Sequence, residues 1–167
     1  MGPIVKGDEM TTKQAVLLLP VIALGVMTGA LLAEGFLLVP YRRALPPQDF
    51  LAWYRQHALL LQNFFGPLEV GATVVSIAAA GVSWFGRDPA RQWLTCSAVL
   101  GVAVLAVFPL YFQDANTSFR TGTIALAAVS EELNRWSNWH GARTALAFAA
   151  FVAAAVAGTK SRAGRAA

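Results

Sequence analysis

Four apolar stretches separated by short polar segments set the pattern along this chain. After a polar start, 1–14, apolar residues run from Ala15 to Val39, then from Leu59 to Phe85, from Trp93 to Phe112, and from Trp139 to Gly158. About 20 apolar residues carry a helix across the hydrocarbon of a bilayer, so the pattern predicts four spanning helices. The first run exceeds the apolar core of a signal peptide and no A-x-A site follows it, so it reads as a span. In the second run Gly66-Pro67 intervenes. Pro67 has no N–H for the Asn63 carbonyl, which predicts a kink and a free acceptor there. A different periodicity covers about Thr123 to Asn138. Leu126, Val129, Leu133 and Trp136 make an apolar stripe, with Glu131, Glu132 and Arg135 off it, which predicts an amphipathic helix at the interface. The fold class is therefore all-α, a four-helix transmembrane bundle in one domain, with a short amphipathic interfacial helix before the last span.

Composition strengthens this picture. Of the 167 residues, 56% are hydrophobic and 13% charged, against about 25% charged for soluble domains. The net charge of +4 is scattered over loops and tail without a basic stripe, so nucleic acid is not an expected partner. Cys96 is the single cysteine and lies in an apolar run, which excludes an intramolecular disulfide. Lys and Arg number seven at the end holding the termini. The opposite end has Arg42, Arg43, Arg55, Arg120 and Arg135, with Arg143 at the boundary. This bias places both termini in the cytoplasm.

Parity then locates the candidate chemistry. In four alternating spans, the end of the first, the start of the second, the end of the third and the start of the fourth share one side. Glu34, Glu69, Asn116, His140 and Arg143 all fall there, with His57, Gln62 and Asn63. Trp136, His140 and Arg143 sit at i, i+4 and i+7, on one helical face. The last apolar stretch proper, Thr144 to Gly158, is only fifteen residues, so the turn before it is drawn to the bilayer boundary. Val70 to Phe85 is equally short, which draws Glu69 in. Ionisable groups at that depth need partners and mark functional sites. Structural alternatives stand beside each: Arg143 snorkelling to headgroups, His140 as a satisfied imidazole, Glu34 outside the hydrocarbon, and Trp136 and Trp139 as an aromatic belt. Two histidines are few for metal or haem. Bis-histidine haem, or one metal held by Glu34, Glu69 and a His, is the weaker option, and no cofactor is expected.

The motif Trp136-x-x-Trp139-His140-x-x-Arg143 leading into the last span resembles the anthrone oxygenase-like family of small four-span membrane proteins. Gly35-Phe36-Leu37-Leu38-Val39-Pro40 with Arg42, Arg43 and Leu45-Pro46-Pro47, and Asn116 beyond the third span, are similar to it as well. Many members have Asn where this chain has His140. The resemblance implies a bacterial inner-membrane protein that oxidises an anthrone to an anthraquinone with dioxygen, without metal or flavin. On that basis His140 is the expected base, and Arg143 and Asn116 the oxyanion stabilisers. Glu34, Asn63, Phe64, Glu69, Trp136 and Trp139 are the expected substrate contacts. A different class fits the same residues: a non-catalytic accessory subunit of a larger membrane complex or homo-oligomer, or a binder of a quinone-like or lipid ligand. The Ala-rich fourth span and the Gly25-x-x-x-Gly29 pair suit such association.

Overall fold

The computed structural model describes residues 5–163, with side chains over 14–160. Helix α1 (Val5–Ala33) passes through a wide π-type turn, Glu34–Leu38, into α2 (Val39–Ala44). Helix α3 (Pro47–Phe85) follows, then α4 (Arg91–Val107), a second π turn at Phe108–Phe112, and α5 (Gln113–Thr121). A single 3₁₀ turn, Leu126–Ala128, opens α6 (Val129–Ala163). Among the described residues, four continuous helical segments, Gln14–Ala44, Pro47–Phe85, Arg91–Thr121 and Leu126–Lys160, are long and apolar enough to cross a membrane. The all-α four-helix bundle predicted by the hydrophobic pattern is the fold found.

The helices stand in cyclic order α1, α3, α4, α6, each packed on two neighbours, while α3 and α6 face each other across a diagonal with little contact. Their lengths matter for function. Thirty-nine residues of α3 rise about 58 Å, against about 30 Å of hydrocarbon. The connection between α3 and α4 is short, so the excess length projects at the opposite end. There the start of α3 packs with α5 and the start of α6 around Phe50, Tyr54, Phe112, Phe119, Val129, Leu133 and Trp136.

Three segments differ from the sequence expectation. Helix runs past Val39, where the first apolar stretch ends, as far as Ala44, and the chain breaks only at Leu45, extended ahead of Pro46. Helix also continues past Phe112, where the third apolar stretch ends, to Thr121. The amphipathic segment is the first part of α6 itself, continuous with the last span. Val129, Leu133 and Trp136 of its stripe are buried against the bundle, and Leu126 is exposed.

Proline inside a helix explains the first two. Pro109 cannot donate to the Leu105 carbonyl, and Phe108 N–H takes that acceptor instead; Gln113 N–H then reaches back five residues to the Phe108 carbonyl. Ahead of Pro40 the Val39 N–H makes the same five-residue bond to Glu34. One extra residue is absorbed in each wide turn, and the helix survives the proline instead of ending at it.

Candidate functional site

Both wide turns flank the same cluster. In an uninterrupted α-helix, positions eight apart diverge by about 80°; absorbing one residue restores a spacing close to seven, about 20°. Arg42 is thereby turned back toward Glu34. Its Nη2 donates to Glu34 Oε1 at 2.7 Å, and its guanidinium lies over the Trp53 and Trp136 rings, 5.3 and 5.1 Å from their centroids. Arg42 is 2% exposed. The sequence counted it among surface charges, so its burial is a correction. The signal for it was Pro40 inside an apolar helical pattern.

Glu34 Oε2 faces Arg143 Nη2 at 3.6 Å and His140 Nδ1 at 3.8 Å. Across the diagonal, Arg143 Nη1 comes within 3.0 Å of Glu69 Oε1. That contact is close in distance but poorly aligned, because Glu69 Oε1 accepts no hydrogen bond. Arg143 also lies 4.4 Å from the Phe112 ring centroid. Two carboxylates and two guanidiniums balance formally, as buried charges require. The Nε atoms of Arg42 and Arg143 make no hydrogen bond among the described residues.

His140 is buried and does not border the cavity described next. Its Nε2–H donates to the Leu31 carbonyl at 3.0 Å, and its Nδ1 accepts from Arg143 Nη2 at 3.1 Å. The ring stacks on Trp136 at 5.2 Å. This approach needs a glycine at 35, where a Cβ would come within 3.2 Å of His140 Nε2. The imidazole therefore holds Arg143 in place, with neither nitrogen left for an incoming molecule.

A cavity of about 610 Å³ opens beside the network. Glu34, Arg42, Glu69 and Arg143 form its charged wall, and Leu61, Phe65, Val70, Leu105, Phe108 and Phe112 its apolar wall. Tyr54, Gln62, Gln113, Asn116, Thr117, Arg120 and Trp136 border it as well. Asn116 Oδ1 accepts from Trp136 Nε1 at 2.9 Å, which leaves the amide nitrogen to donate elsewhere.

The sequence thus located Glu34, Glu69, Asn116, Trp136 and Arg143 at the cavity, but not every candidate lies there. Asn63 is exposed, and Phe64 is 56% exposed on the outer surface. Helical phase is the reason: Gln62 is seven residues before Glu69 and shares its face within about 20°, whereas Asn63 is turned by about 120°. Trp139 stacks on Tyr111 at 5.2 Å, outside the cavity, while Tyr111 donates to Glu132 at 2.6 Å. His57 does not border the cavity; it stacks at 4.5 Å on Trp53, the ring that also carries Arg42. Tyr54, Phe112 and Arg120 also border the cavity and were not singled out from the sequence. Among the described residues no group of three His, Cys, Asp or Glu side chains converges as metal ligands, and the Arg143 guanidinium separates the two carboxylates. No known protein family, curated protein or solved structure matches this chain.

Proposed function

We propose that this protein binds a flat, apolar aromatic molecule at the polar end of its bundle and oxidises it with dioxygen, as its resemblance to the anthrone oxygenase-like family implies. One observation carries this reading: a cavity with a buried carboxylate–guanidinium wall on one side and aromatic and aliphatic walls on the other. Such a site combines a slot for apolar rings with groups that move a proton and hold an oxyanion.

The base in this proposal is Glu69, which borders the cavity, and His140 is a positioning residue for Arg143. Glu69 takes a proton from the acidic methylene of an anthrone, leaving an enolate. Protonation of Glu69 removes one of the two carboxylates beside Arg143, so the guanidinium turns its charge toward the new oxyanion, with the Asn116 amide as a second donor. Dioxygen accepts two electrons from the enolate, a C–O bond forms, and Glu69 returns the proton to give a hydroperoxide. Loss of the remaining C–H proton to Glu69 then breaks the O–O bond. The products are the anthraquinone and one water.

We place the cavity at the membrane face opposite the termini, in a bacterial inner membrane. With Arg42 and Arg143 neutralised inside the bundle, the count becomes seven Lys and Arg at the terminal end against Arg43, Arg55, Arg120 and Arg135 at the other, so the positive-inside bias sharpens. Part of the small-residue surface behind the accessory-subunit reading is used within the chain, while Gly29, Ala145 and Ala149 stay open to a partner. Ala147, Ala150, Ala153 and Ala154 pack inside the bundle, and Gly25 gives room to Phe151 of the same chain.

The test is turnover of an anthrone under air by purified protein in nanodiscs, followed by anthraquinone absorbance. Wild type should turn over, and Glu69→Gln should lose about 100-fold or more of the rate while still binding anthraquinone. Binding without turnover in the wild type would make the protein a quinone-type binder, and absence of both would remove the reading.

A further inference from the structure

A second recess lies beside the cavity, on the outer surface between the end of α1 and the middle of α3. It measures about 470 Å³ and its surface is wholly apolar. Ala30 and Ala33 form its floor on α1, while Leu37, Leu60 and Phe64 stand at its rim. Leu37 and Leu60 are 70% and 68% exposed. Leu60 lies about 38 Å along α3 from Phe85, just past about 30 Å of hydrocarbon, so in a chain spanning a bilayer the rim meets the membrane at its boundary. Glu34, Leu61 and Phe65 border both this recess and the polar cavity, so only the thickness of these side chains divides the buried ion network from the hydrocarbon.

The recess exists because of particular residues. Alanine at 30 and 33 leaves α1 without bulk where α3 presents Leu60, Leu61, Phe64 and Phe65. The wide turn at Glu34–Leu38 also rotates Leu37 relative to a regular helix. A lipid tail gains little by leaving the bilayer for such a surface, because both are equally apolar. An apolar recess there does not raise affinity for a chain; it lets a chain pass without cost while its head sits elsewhere.

We propose that the ligand of this site carries an apolar chain, and that the recess between α1 and α3 is the path by which the ring reaches the cavity from the bilayer and the channel in which the chain remains. The chemical class is a bilayer-resident aromatic ring bearing oxygen and an alkyl or isoprenoid tail. The ring oxygen meets Arg143 and Asn116, and the tail passes between Leu61 and Phe65 to the rim at Leu37, Leu60 and Phe64. This rests on the aromatic-binding reading above and adds the side of access and the tail.

Two radiolabelled probes test it in nanodiscs, with affinities expressed as bilayer mole fraction: anthraquinone and 2-decylanthraquinone. Wild type should bind both within about threefold of one another, since the tail stays in an apolar medium throughout. Ala33→Phe narrows the recess from an exposed position, and Leu60→Trp does so from the rim without touching the core. Each should retain anthraquinone at equilibrium, bound more slowly because the path is narrowed, and weaken the decyl probe by about tenfold or more, the scale of a steric clash of about 1.4 kcal/mol. Exclusion of the decyl probe by wild type, or equal binding of both probes by both variants, would overturn the proposal and leave the aromatic site intact. Failure of wild type to bind either probe would instead overturn the aromatic site and the tail channel together.

Discussion

At the end of the bundle nearest the termini, the helices meet through Leu17, Ala79, Ala80, Ala90, Leu94, Ala98 and Ala157, with Ser76, Ser83 and Ser97 buried among them. At the other end the contacts are Phe50, Tyr54, Phe112, Phe119 and Trp136, and the buried polar groups are Glu34, Arg42, Glu69, His140 and Arg143. Small residues let helices approach closely and leave no space. Aromatic residues and ion pairs hold them apart, and a cavity follows. Helix α4 shows the change within one turn. A methyl at Gly101 would come within 3.2 Å of Thr73 Oγ1, whereas Leu105, four residues on, borders the 610 Å³ cavity. The first region is closely packed and the second open, and the second holds both the candidate chemistry and the groups most costly to disturb.

Substitutions should separate the two regions. The largest effect is expected from Arg143→Leu, which leaves Glu69 buried without its cation and Glu34 with Arg42 alone. It should destabilise by about 3–5 kcal/mol, read from thermal unfolding in detergent, and a loss below about 1 kcal/mol would show that the network is not integral to the fold. Next comes the pair on α4. Gly101→Ala should cost about 1–3 kcal/mol, because Thr73 is buried and cannot move aside, while Leu105→Trp should be tolerated within about 1 kcal/mol despite the far larger group. Equal costs would erase the distinction between a tight end and an open one. Gly35→Ala should displace His140 from Leu31 and lower stability by about 1–2 kcal/mol, with a fall in turnover from the loss of Arg143 positioning. The smallest effect is expected at Ser97, whose hydroxyl has no hydrogen-bond partner. Ser97→Ala should be neutral, or stabilising by up to about 1 kcal/mol.

How much of this was legible in the sequence depends on which rule applied. The number of spans followed from apolar run length. Gathering of Glu34, Glu69, Asn116 and Arg143 at one end followed from parity alone, and the shared face of Trp136, His140 and Arg143 from the helical period. The misplacements have two causes. Pro40 read as the end of the first span, yet a wide turn carries the helix past it, which hid Arg42 among the loop charges. Around Pro67 the helical phase was not carried through, so Asn63 and Phe64 stood where Gln62 and Phe65 belong. Trp139 was grouped with Trp136 although three residues turn it by about 60°, enough to place it on Tyr111 instead of the cavity. The role of His140 was not legible, because its two partners come from Leu31, 109 residues away, and from Arg143.

The central claim is that the aromatic, charged end of the bundle is a built binding site. Equilibrium binding of unsubstituted anthraquinone to purified protein in nanodiscs tests it most directly, compared between wild type and two cavity-filling variants, Leu105→Trp and Val70→Phe. The account predicts saturable binding of one molecule per chain in the wild type, lost in both variants while their unfolding temperatures stay close to the parent. Absent or non-saturable binding in the wild type, or undiminished binding once the cavity is filled, would contradict it.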